Sequence, residues 1–272
     1  MYKTKQLNFH VIYLHSMSLQ LADVQLKEGK KIYFASDFHF GIPDYEETRK
    51  REVIVCSWLD AIKTDAQQIY LVGDIFDSWM EYKLVAPKGT IRFLGKLAEI
   101  ADTGIEIIVF TGNHDLWMHG YFEQELGIKV IKTAQSFKIN DQLFHVAHGD
   151  GVCEKEWKYI LLKKLLHSNW SQFIYRQLHP DLGLRLADWF SRLGPKHKYV
   201  DLGMKDHAEE YQILYAKSCL LKKEFNYFIF GHRHIPIKIQ LNDSSTFINL
   251  GDWISYNTYA VFDGKKAILE KY

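Results

Sequence analysis

Short apolar runs recur along the chain, and most of them stop at a glycine, a carboxylate or a histidine. Residues 31–36 lead into Asp37-Phe38-His39, Tyr70-Leu71-Val72 into Gly73-Asp74, and 106–110 into Thr111-Gly112-Asn113-His114-Asp115. Farther on, 142–147 lead into His148-Gly149-Asp150, 227–230 into Gly231-His232-Arg233-His234, and 246–250 into Gly251-Asp252-Trp253. An apolar run bounded by a turn residue predicts a buried strand. Between these runs, 46–62 has helical spacing with Val53, Ile54, Ser57, Trp58 and Ile62 on one face. A second helix is predicted at 91–100, with Leu94, Leu97 and Ala98 inward and Gly104 as its stop. Short strands are also predicted at 128–131, 136–139, 259–262 and 266–269, with turn signals at Asn140-Asp141 and Asp263-Gly264.

Residues 153–225 break this rhythm. Trp157, Ile160, Leu161 and Leu165, then Trp170, Phe173, Ile174 and Leu178, then Leu186, Trp189, Phe190 and Leu193 follow helical spacing. The pattern predicts one α/β domain over 31–272, interrupted by a helical cap at about 153–225. Residues 1–30 lack a sharp period. They read as an N-terminal extension or an added edge strand, and no role is assigned to them. Trp157, Trp170, Phe173, Trp189 and Phe190 either pack the cap on the core or line a site for apolar chains, with packing the larger expectation for each.

Charge changes the picture only in the cap. From Lys155 to Lys198 there are nine basic and three acidic residues, a net +6 in a chain whose total is +1. Basic residues interleaved with Trp, Phe and Leu suit an amphiphile with an anionic head. Outside 153–225 the chain is net −3, which argues against a nucleic-acid track and hence against a nuclease. The cysteines Cys56, Cys153 and Cys219 have no metal-type spacing and suit a reducing compartment. Neither a signal peptide core nor an apolar run long enough for a membrane span is evident, so a cytoplasmic location is expected, with peripheral contact at a membrane face still open.

In open α/β sheets, ligands bind outside the carboxyl ends of strands. The predicted strand ends supply Asp37, His39, Asp74, Asn113, His148, His232 and His234, all metal-ligand types. One ion rarely needs seven side chains, but two ions sharing Asp74 would use them all. A mixed oxygen and nitrogen set without thiolate points to Mn, Fe or Zn. Two such ions can activate a water and clamp a phosphoryl oxygen.

Asp-x-His, Gly-Asp, Gly-Asn-His-Asp, His-Gly-Asp and Gly-His-x-His, in this order over about 31–270, resemble the motifs of calcineurin-like metallophosphoesterases. The resemblance implies a four-layer α/β/β/α sandwich with the inserted cap. It implies one metal on Asp37, His39, Asp74 and His234 and another on Asp74, Asn113, His148 and His232, with Mn the leading choice. It also implies in-line attack by a metal-bridging hydroxide, with His114 as the acid and Asp115 orienting it. That full ligand set speaks against a non-catalytic scaffold.

A narrower similarity links 73–79, the Gly-Asn-x-Asp motif, His-Gly-Asp, the basic insertion and Leu250-Gly251-Asp252-Trp253 to UDP-2,3-diacylglucosamine diphosphatases of lipid A synthesis. These cleave a pyrophosphate to give UMP and 2,3-diacylglucosamine 1-phosphate, and the insertion is their acyl-holding lid. It implies a peripheral protein at the inner face of the cytoplasmic membrane. Arg192, Lys196 and Lys198 are then candidates for binding the phosphates or uridine. One departure is His114, where the well-known members carry Arg. It leaves open a related enzyme acting on another nucleotide, lipid or phosphodiester.

Overall fold

The computed structural model describes residues 22–152, 157–166, 168–193 and 210–272. The chain begins with β1 (Ala22–Val24), β2 (Lys31–Ala35), α1 (Tyr45–Ile62), β3 (Ala66–Val72), α2 (Ile91–Asp102) and β4 (Glu106–Phe110). Next come α3 (Tyr121–Glu125), β5 (Lys129–Ile131), β6 (Gln135–Ile139) and β7 (Gln142–Ala147). Three inserted helices follow, α4 (Trp157–Leu166), α5 (Asn169–Tyr175) and α6 (Pro180–Leu193), and then α7 (Tyr211–Leu220). The chain closes with β8 (Tyr227–Phe230), β9 (Pro236–Gln240), β10 (Thr246–Leu250), β11 (Thr258–Phe262) and β12 (Ala267–Lys271).

The strands form two six-stranded sheets, ordered β12-β11-β2-β3-β4-β5 and β1-β6-β7-β8-β10-β9. In the first, β2 through β5 run parallel; in the second, β7, β8 and β10 do. Alternation along each strand assigns its two faces. Ile32, Phe34, Tyr70, Val72, Ile108 and Phe110 point between the sheets and meet Phe137, Phe144, Val146, Ile229 and Ile248. Tyr33, Ala35, Ile69, Leu71, Ile107 and Val109 point the other way, under Val55, Trp58 and Leu59 of α1 and Phe93 and Leu97 of α2. On the far side, Ile213 and Ala216 of α7 cover Ala147, Phe228, Phe230 and Phe247. The result is the expected order of layers, α/β/β/α. Both faces of the parallel strands are buried, which is why they read as unbroken apolar runs.

Two details differ from expectation, and a third, the edge strand within 1–30, agrees with it. The buried face of α1 comprises Thr48, Arg51, Glu52, Val55, Trp58, Leu59 and Ile62, whereas Val53 and Ile54 are exposed. Arg51 and Glu52 can be buried because each is satisfied by backbone. Arg51 donates to the carbonyls of Phe38, His39 and Ile42, and Glu52 accepts from the N–H groups of Arg92 and Phe93 at the start of α2. Strand β9 went unread, since it is an edge strand opening on a proline. Within 1–30, β1 adds a parallel edge strand to β6.

The inserted helices carry an apolar surface that the core does not cover. Trp170 is 75% exposed, Phe173 61% and Trp189 53%, so the expectation of core packing is overturned for these three. Leu161, Leu162, Leu165 and Ile174 are exposed beside them. The side chains of Trp157 and Phe190 lie outside the described residues. Among the described residues, no helix is long and apolar enough to cross a membrane.

Candidate active site

The carboxyl ends of β2, β3 and β4 in one sheet face those of β7, β8 and β10 in the other, and the loops just beyond them meet at one buried point. Asp37 and His39 follow β2, Asp74 follows β3, Asn113 and His114 follow β4, His148 follows β7, and His232 and His234 follow β8. Asp37, His39, Asp74, His148 and His234 are all buried. The loops are bent sharply to achieve this. Asp37, His39, Asp74, His232 and His234 all have positive φ, between 44° and 70°, a region that L-residues enter at a cost. Two glycines allow the closest approach. Gly73 has φ +84°, and a Cβ there would stand 2.5 Å from Nδ1 of His148. A Cβ on Gly112 would overlap the Asp74 carboxylate.

The rings are oriented by hydrogen bonds on their outward nitrogens. Nδ1 of His148 is 2.9 Å from the Val72 carbonyl, an acceptor, so this nitrogen carries the proton. Its Nε2 then points at Asp74 Oδ2 and Asn113 Oδ1, both at 3.2 Å. His39 and His234 turn Nδ1 toward the carboxylates of Asp77 and Asp252, each at 3.4 Å. Their Nε2 atoms face each other at 3.2 Å. Asp37 Oδ1 lies 3.3 Å from that of His234, and Asp74 Oδ2 lies 3.6 Å from that of His39. Two imidazole lone pairs and two carboxylates converging in a buried space call for positive charge. Donor atoms of Asp37, His39, Asp74 and His234 lie within 4.8 Å of one another, and so do those of Asp74, His148 and His232. Each of these two groups could hold a divalent ion, and Asp74 belongs to both; His39, Asp77 and His114 form a third such cluster, which shares His39 with the first. An imidazole backed by a carboxylate or carbonyl is the usual arrangement of a metal-ligating histidine.

Electrostatics repeat this demand. Burial opposes charge on Asp74, but the neighbouring His148, His114 and His39 hold it well below the usual carboxylate range. Burial likewise opposes charge on His39, yet Asp37, Asp77 and Asp74 raise it to about 10. His148 is raised to about 10 against its burial, chiefly by Asp74. His232 is pushed down to about 4 by burial and by His148. In metal-free protein, protonation of His39 and His148 would supply that positive charge. Because their folded values exceed the ordinary 6.5, the stability they give is complete below that pH and is lost as pH rises through about 10. In the presence of a chelator, thermal melts are therefore expected to shift downward across that window. Metal-loaded protein is expected to resist the shift, since bound ions replace those protons. A flat profile in chelator would mean that the two rings are not ion-paired.

Asp115 and His114, a pair in the family resemblance, hold different partners here. The Asp115 carboxylate accepts the backbone N–H groups of Gly112 and Ile75 at 2.7 and 2.8 Å, tying two loops together. Burial, then the charge of Asp74, raises it to about 6. Nδ1 of His114 lies 2.9 Å from the carbonyl of Asp77 and 3.4 Å from its carboxylate. That nitrogen carries a proton, and the side chain is 22% exposed. Asp77 and Asp252 were missed as site residues. Gly251-Asp252 repeats the form of Gly73-Asp74 at another strand end, a signal that was present in the sequence. Arg192 lies near the end of α6, but its side chain, like Lys196 and Lys198, lies outside the described residues.

The family model for calcineurin-like phosphoesterases matches residues 30–236, a span that holds every residue of this centre except Asp252. The chain belongs to the calcineurin-like phosphoesterase family. These phosphoesterases use divalent metals, and the two overlapping ligand groups fit that chemistry. Among curated relatives, a UDP-2,3-diacylglucosamine hydrolase of Porphyromonas gingivalis is 38% identical over 255 residues, covering 88% of this chain and 97% of its own. Proteins of the same name from Vibrio atlanticus and Haemophilus influenzae are 22% and 24% identical, covering 85% and 82% of this phosphoesterase and 93% and 91% of their own lengths.

Proposed function

We propose that this protein hydrolyses the pyrophosphate of UDP-2,3-diacylglucosamine to UMP and 2,3-diacylglucosamine 1-phosphate. The observation that carries the proposal is the 38% identity to a hydrolase of that name along nearly its whole length. The apolar surface on α4, α5 and α6 supports it, because a diacylated substrate brings two chains that need such a surface. One ion would sit on Asp37, His39, Asp74 and His234, and a second on Asp74, Asn113, His148 and His232, with Mn, Fe or Zn suited to these donors. Bound there, such ions supply water activation and charge neutralisation at phosphorus.

The rest falls to the chain's own residues. Hydrolysis adds water across the P–O–P bridge: an oxygen bonds to phosphorus in line with the bridging bond, and that bond breaks. His114 meets the leaving phosphate oxygen through Nε2, as a proton donor or as a positive charge, while Asp77 holds the ring from behind. Asp115 fixes the loops that carry Asp74 and Asn113. The exposed apolar residues of the inserted helices also suit peripheral contact with the membrane in which an acylated substrate resides.

The test is release of UMP from UDP-2,3-diacylglucosamine in detergent by Mn-loaded protein. No UMP, with retained cleavage of small phosphodiesters, would replace this reading with that of a phosphodiesterase of other specificity. His114, in place of the expected Arg, is the residue that favours that second reading.

A further inference from the structure

Beside the metal-ligand loops, and outside the reaction described above, lies a buried ion pair. Asp150, two residues after His148, is 9% exposed, and its Oδ2 is 2.6 Å from Nζ of Lys163 in α4. The hydroxyl of Tyr159 donates to the same oxygen. Tyr159 and Lys163 are four residues apart, so both reach down from one face of the helix. The helix rests directly on this loop: a Cβ added to Gly151 would touch the Tyr159 ring at 3.1 Å. At its other end, the carbonyl of Leu166 accepts the indole N–H of Trp117 at 3.1 Å. Trp117 follows Asn113 and His114 closely in sequence. Helix α4 thus spans from the loop of His148 to the loop of Asn113, held at both. Leu161, Leu162 and Leu165 of the same helix are exposed.

We propose that Lys163, with Trp117, is a positioning residue that mounts α4 on the two ligand loops and so sets where the cap's apolar surface stands relative to the reacting phosphates. The mount is a specificity determinant, acting on substrates that carry an apolar tail and not on the hydrolytic step. A salt bridge suits this task because it is directional. Losing Lys163 leaves the buried Asp150 carboxylate with the Tyr159 hydroxyl as its remaining tie to the helix, so the helix loses its charged anchor on this loop. The link from α4 to an acylated substrate rests on the function proposed above; the mount itself rests on the contacts alone.

The experiment compares Lys163→Met, Lys163→Arg and Trp117→Phe with the unaltered protein. It uses UDP-2,3-diacylglucosamine, bis-p-nitrophenyl phosphate as a tail-free ester, and amide hydrogen exchange. Lys163→Met is expected to raise KM for the acylated substrate about tenfold or more, with kcat and cleavage of the small ester within about twofold. Exchange should quicken across 157–166 and stay unchanged in β2, β3 and β4. Lys163→Arg should restore KM, and Trp117→Phe should reproduce the effect more weakly. An unchanged KM and unchanged exchange in Lys163→Met would overturn the proposal, as would equal losses on both substrates. If the unaltered protein does not cleave the acylated substrate, the proposed function fails, and exchange then decides on the mount by itself: quickening confined to α4 sustains it, and none refutes it.

Discussion

Asp74→Ala is expected to lower metal content at both positions together and to reduce kcat/KM by about a thousandfold or more. Asp74 is the one carboxylate common to both ligand groups, and its Oδ2 is 3.2 Å from His148 Nε2 and 3.6 Å from His39 Nε2. Its second oxygen also accepts the backbone N–H of His114 at 2.9 Å, so the loop of His114 would loosen as well. Asn113→Ala removes a donor from one side only and should weaken mainly one ion. Metal content measured against protein concentration separates the cases. Loss of a single ion in Asp74→Ala would show that the carboxylate is not shared.

His114→Ala is expected to lose roughly 10²–10⁴-fold in kcat with both ions retained. The side chain is 22% exposed and its Nδ1 is held by Asp77, so removing it leaves the two ligand groups that share Asp74 complete. His114→Arg divides the two roles that a histidine can play. Arginine can neutralise a developing charge but cannot deliver a proton at neutral pH. Recovery of kcat by arginine would assign the role to charge, and failure to recover would assign it to proton donation. Loss of metal from His114→Ala would make the residue structural.

Much of this site was legible in the sequence because each candidate ligand follows an apolar run, and a buried parallel strand puts whatever follows it at one edge of the sheet. Asp37, Asp74, Asn113, His148 and His234 converge for that reason. What sequence could not supply was the partnership among loops. The resemblance implied that Asp115 orients His114, but the Asp115 carboxylate faces the backbone of Gly112 and Ile75. The carboxylate that does back the ring, Asp77, comes from a different loop.

The same limit appears in α1. Periodicity favoured Val53 and Ile54 as buried, but the helix turns Arg51 and Glu52 inward because free backbone groups await them there. The cap shows the reverse case. Its apolar spacing was correctly helical, yet Trp170, Phe173 and Trp189 are exposed. Apolar periodicity says that a surface needs covering, not that the chain's own core covers it.

The most direct test of the two-ion centre is anomalous diffraction from crystals soaked in Mn²⁺. The proposed two-ion centre would give two peaks, about 3.5–4 Å apart and both next to the Asp74 carboxylate, one beside His39 and His234 and the other beside His148 and His232. A single peak, or peaks that do not share Asp74, would contradict it.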